Sequence, residues 1–243
     1  MKIGAAYQYQ LRDMGKSIGV YYLVIILLVL FGICMVTFGN SGSVQMPFDS
    51  ISAIFLFVAA LCSFKENFFY FAQNSISRRC FFLTKLLTMV TVCIAMALID
   101  GLLSVGLTAI FADERLSFPQ FAAILNNGQM GFIGSELYAI CSNLIAFAAG
   151  SFITVMFYRL NKLGKIIVGA GVPVFLFIFL PILLSYTAAY APGVTNSMFN
   201  VLLDFLSWLT ASMGRVCICF LILAVVIMGF TWLMERRAVI KAK

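Results

Sequence analysis

The stretch Ile18-Gly19-Val20-Tyr21-Tyr22-Leu23-Val24-Ile25-Ile26-Leu27-Leu28-Val29-Leu30-Phe31-Gly32-Ile33-Cys34-Met35-Val36-Thr37-Phe38 carries no charge over 21 residues. As an α-helix it would span about 32 Å, the thickness of a bilayer's hydrocarbon core. Such a run is a membrane-crossing helix, and the rest of the chain repeats it. Leu86–Phe111, Leu137–Tyr158, Ile166–Tyr186 and Val216–Met234 are comparably long and apolar. A shorter run, Ser50–Phe64, reaches adequate length once Pro47–Asp49 is added and Lys65 extends its charged end to the interface. Hydrophobic residues make up 63% of the 243 residues and charged ones 10%, against roughly 45–50% and 25% in soluble domains. A soluble domain of this size could not hide that surface, so the bilayer is its solvent.

The charges orient the spans. Lys2, Arg12 and Lys16 precede the first run, and Lys65, Arg78, Arg79 and Lys85 follow the second. Arg159, Lys162 and Lys165 follow the fourth, and Arg236, Arg237, Lys241 and Lys243 form the tail. These are 14 of the 16 Lys and Arg; only Arg115 and Arg215 fall on the other side. Cytoplasmic loops are enriched in Lys and Arg, so the 14 are expected in the cytosol with both termini. The net charge of +7 is thus explained by topology, and nucleic acid is not expected as a partner. The expected fold is an all-α membrane domain over residues 1–243, with six transmembrane helices (18–38, 50–64, 86–111, 137–158, 166–186 and 216–234). A cytosolic amphipathic start occupies 1–17 and a cytosolic loop 65–85. Met198–Met213 is apolar but contains Asp204 and is short, so it reads as an outer helix or re-entrant hairpin. Residues 1–17 lack the features of a cleaved leader.

Chemistry is sparse. The chain has no histidine, which removes the commonest acid–base group and metal ligand. Gly15-Lys16-Ser17 lacks the upstream glycine of a phosphate loop, since Gln10 holds that place. Six of the seven cysteines lie in apolar runs, and Cys80 in a basic loop. No metal site or disulfide framework is expected. The chain reads as a non-enzyme that binds no cofactor itself.

Three features could carry function. Asp100 lies within the third run, and an ionisable group there is a functional candidate by default. It falls about 22 Å beyond Lys85, level with Ser142 and Asn143 of the fourth run. A hydrogen bond to Ser142, Asn143 or Ser104 is expected, as a clamp or along a substrate path. Pro173 and Pro181 make the fifth run a bent helix or a hinge. The basic loop opens Phe64-Lys65-Glu66-Asn67-Phe68-Phe69-Tyr70-Phe71 and closes Asn74-Ser75-Ile76-Ser77-Arg78-Arg79. Its first half can continue the second helix, Asn74 and Ser75 can end it, and Ser77 can cap the next. It reads as an aromatic belt with basic anchors, or as a docking element whose exposed aromatics fill a partner's groove.

With Phe64, Lys65, Glu66 and Phe68 followed by Ser77, Arg78 and Arg79, the chain resembles the membrane subunits of ABC-2-type ATP-binding-cassette exporters, in particular small bacterial permeases. The resemblance covers the whole topology. In the second stretch Ser75 stands where that family often has glycine. Membership would imply two permease chains around a pathway, most simply a homodimer with a heterodimer as the alternative. Each would dock a separate ATP-binding subunit through Phe64, Lys65, Glu66, Phe68, Phe69, Arg78 and Arg79, with ATP and Mg held in that subunit. The site would be the bacterial cell membrane. Relatives of this kind export lipids, drugs, lantibiotics or amphipathic peptide toxins such as phenol-soluble modulins, and the 25 Phe and 12 Met suit an amphipathic peptide. The competing readings are a substrate-capture subunit of an energy-coupling-factor importer, and a channel or scaffold.

Overall fold

The apolar runs fold as helices because only a helix satisfies its own backbone hydrogen bonds in lipid. A computed structural model describes residues 2–38, 44–111, 116–125, 131–171, 181–182, 192–210 and 212–236. Helix α1 spans Lys2–Phe38, α2 Phe48–Gln73, α3 Arg78–Ile110, α4 Phe121–Leu125 and α5 Phe132–Arg159. Helix α6 spans Lys162–Ile166 and runs into a π-helical turn, Ile167–Gly171; α7 spans Pro192–Thr210 and α8 Met213–Arg236. Two short strands, β1 (Val44–Gln45) and β2 (Leu116–Ser117), pair in parallel with Val44 opposite Leu116. Among the described residues five helices are long and apolar enough to cross a membrane: α1, α2, α3, α5 and α8. The chain is therefore a helical, multi-pass membrane protein.

Several elements outrun the hydropathy pattern. Residues 2–17 and the first run are one 37-residue helix, about 55 Å long and well beyond a core of about 30 Å. Helix α2 has 26 residues, not 15, and α3 begins at Arg78 rather than Leu86. Hydropathy marks where lipid begins, while a helix stops only where its backbone is capped. Asn74 and Ser77 cap the turn here, as expected: the Asn74 N–H donates to Tyr70 O at 3.2 Å, and Ser77 Oγ accepts from the Cys80 N–H at 3.3 Å. Within the 198–213 segment, residues 198–210 are helical. They lie in α7, one 19-residue helix with Phe199, Val201, Leu203, Phe205 and Trp208 exposed. Of the expected fifth span, 166–186, Ile166–Gly171 and residues 181–182 are described. Pro173 lies outside the described residues; Pro181 is helical and exposed.

The chain forms two units, Met1–Val155 with Cys217–Lys243, and Met156–Val216. In the second, Arg215 Nη1 donates to Trp208 O at 2.9 Å and the guanidinium lies 4.8 Å from the Trp208 ring. In the first, α1 and α2 pack on α3. The buried stripe of α1 is Ala6, Gln10, Met14, Tyr21, Ile25 and Val29, spaced by four or seven residues as one helix face requires. The other face, including Val20, Leu23 and Leu27, is exposed, as suits lipid. Helices α2 and α5 meet at Gly150, where a Cβ would collide with the Phe57 carbonyl. Threonines return their hydroxyl protons to the carbonyl four residues back, Thr88 to Thr84 at 2.9 Å and Thr231 to Ile227 at 2.8 Å, which lets a polar side chain sit in an apolar bundle.

Candidate functional site

The Asn74–Ser77 turn between α2 and α3 is the first candidate. Ser75 has φ 53°, the left-handed conformation that commonly follows a helix and that glycine adopts most easily. Ile76 N–H reaches back to Phe71 O at 3.0 Å. Beneath the turn an aromatic cluster fixes the hairpin. Phe64 and Phe68 stack 5.4 Å apart, and Phe81 of α3 lies 6.1, 6.0 and 5.4 Å from Phe64, Phe68 and Phe71. Tyr9 of α1 stacks on Tyr70 at 4.1 Å.

This corrects one expectation. Phe64 and Phe68 are 2% and 6% exposed, so they fill the chain's own core rather than a partner's groove. An apolar ring beside three others gains more from mutual burial than from water. Lys65, Glu66, Arg78 and Arg79 are exposed, and Phe69 is half-buried. Arg78 Nη1 donates to Arg236 O at 2.8 Å, tying the turn to the end of α8. Grooves of about 240 and 200 Å³ flank Phe71 and Ile76, one lined by Tyr9 and Tyr70, the other by Phe68 and Arg78.

Under the turn lies an ion pair that the sequence did not announce. Lys85 Nζ sits 2.7 Å from Glu235 Oε1, both nearly buried, and 5.3 Å from the Phe64 ring centroid. One turn along α3, the Thr88 hydroxyl lies 3.2 Å from the Gln10 side-chain amide. Helices α1, α3 and α8 are thereby cross-linked by polar contacts at their basic end.

The second candidate surrounds Asp100, which is buried as expected but differently partnered. Tyr22 Oη donates to Asp100 Oδ1 at 3.0 Å. Asn143 Nδ2 instead reaches Cys93 O at 3.5 Å, and Ser104 Oγ donates to Phe118 O; Ser142 is half-buried. Equal depth did not decide the partner, because a helix's rotation about its axis selects which neighbour it faces. Two further carboxylates, Asp49 and Glu136, are buried nearby. Asp49 accepts the Phe121 N–H at 2.9 and 3.1 Å and the Ser50 N–H at 3.0 Å. Glu136 Oε1 accepts from Gln120 Nε2 at 2.6 Å and lies against Gly101, where a Cβ would overlap the carboxylate. Tyr21 Oη and Ser52 Oγ share a 2.7 Å bond beside them. The adjacent tyrosines within an uncharged run were the available signal: each buried phenol needs a polar partner.

No protein-family model, curated protein or solved structure matches the chain.

Proposed function

We propose that this chain is the membrane subunit of an ABC-type exporter, lodged in a bacterial cell membrane with both termini in the cytosol and six spans in all. ATP would be hydrolysed by a separate subunit docked on the α2–α3 turn. The observation that carries the reading is the form of that turn. A membrane subunit driven from outside must receive force on a stiff element joined to two spanning helices. Here α2 and α3 run unbroken into a four-residue turn, braced by the Phe64–Phe68–Phe81 cluster, with Lys65, Glu66 and Arg79 exposed beside it. Phe64 and Phe68 act by stiffening the element; the charged residues and Phe69 make the contact. A second copy of the chain completes the pathway, and an amphipathic peptide is the favoured cargo.

Co-purification tests this. The chain, co-expressed with a phosphate-loop ATPase encoded beside it, should retain that subunit through detergent extraction. Glu66→Ala with Arg79→Ala should lower the recovery about tenfold, the scale of losing contact residues at a docking site. Absence of the ATPase from the wild-type complex, or undiminished recovery with the double variant, would sink the proposal.

A further inference from the structure

Three carboxylates from three helices meet inside the first unit: Asp49 at the start of α2, Asp100 midway along α3 and Glu136 near the start of α5. They are 4%, 3% and 6% exposed. Asp49 acts electrostatically on Glu136, and both act on Asp100. From α1 the cluster is faced by Tyr21 and Tyr22, from α2 by Ser52, from α3 by Ser104, and from the segment before α4 by Gln120. Among the described residues no Lys or Arg forms an ion pair or hydrogen bond with any of the three.

Three negative charges cannot stay uncompensated in such a place, because a buried carboxylate without a counter-charge takes up a proton instead. The hydrogen bonds sort the three. Asp49 accepts backbone N–H groups on both oxygens, an arrangement that favours the anion. Glu136 uses one oxygen, to Gln120, and its Oε2 is buried with no partner, while Asp100 accepts from Tyr22 on Oδ1 and has the Ser52 hydroxyl beside it. The space bounded by Phe48, Asp49, Asp100, Gly101 and Gln120 leaves no room for a water molecule. Among the described residues no three side chains are disposed to hold a metal ion.

We infer that this cluster is a proton-binding site in which Asp100 and Glu136 hold at least one proton between them at neutral pH, while Asp49 remains the anion. Its loss would leave adjacent like charges where α2, α3 and α5 meet, so the site ties the packing of these helices to its own occupancy. The inference is independent of the exporter reading.

Infrared spectroscopy of the full chain at neutral pH tests it. The wild-type protein should show a carboxylic-acid C=O stretch separate from the carboxylate bands. Isotope labelling of the Asp or Glu carboxyls should move that stretch, which reads the site without any variant. Asp100→Asn or Glu136→Gln should remove it in whole or in part, and Asp49→Asn should leave it in place. A spectrum with no carboxylic-acid stretch overturns the inference, as does a stretch that survives both variants or one removed by Asp49→Asn.

Discussion

Ser75 holds a left-handed backbone at a position where a Cβ is a burden, with φ 53°. The non-glycine cost there is about 1 kcal/mol. Ser75→Gly should therefore stabilise the turn by about 0.5–1 kcal/mol, offset in part by the freer unfolded chain. Thermal denaturation in detergent checks this, and a lower midpoint for the variant would contradict it. The sequence foretold the turn, because Asn74, Ser75 and Ser77 are residues whose local hydrogen bonds end and begin helices. It did not foretell the Lys85–Glu235 pair. Lys85 read as one of the basic residues of a loop, and only the approach of α8 to α3 brings it to Glu235. Asp49 and Glu136 were missed for the same reason: their position outside the longest apolar runs looked like exposure, whereas segment 118–121 covers them.

At the scale of elements, the spans were legible because lipid imposes an uncharged run of fixed length. Their ends were less so, since α1 and α3 continue as helices through sequence that is polar enough for water. Which faces meet was hidden, with Gly150 as the informative case. It lets the α2 backbone approach α5 so closely that a Cβ would strike the Phe57 carbonyl and press on Ala60. Small residues allow such approach in membrane helices. Gly150→Ala should cost about 1–3 kcal/mol by forcing the two helices apart. Gly106→Ala on α3, where nothing lies within 4 Å, should be harmless in the same thermal assay. Equal losses from the two substitutions would mean that α2 and α5 are not closely packed there.

At the scale of the molecule, orientation rests on charge. If the basic end faces the cytosol, a single cysteine replacing Asn74 in a cysteine-free chain should react with an impermeant reagent only in opened cells. One replacing Gln45, exposed beside the β1–β2 pair at the other end, should react in intact cells. The reverse pattern would invert the topology and remove the α2–α3 turn from the reach of any cytosolic ATPase.

The Lys85–Glu235 contact joins residues 150 apart in sequence. At a synthesis rate of about 5–20 residues per second, Lys85 leaves the ribosome about 8–30 s before its partner exists. Throughout that interval the nascent chain carries an unmatched ammonium at the mouth of the bundle, beside the Phe64 ring. Only the arrival of the last helix neutralises it. A chain cut short before α8 would leave Lys85 without this partner.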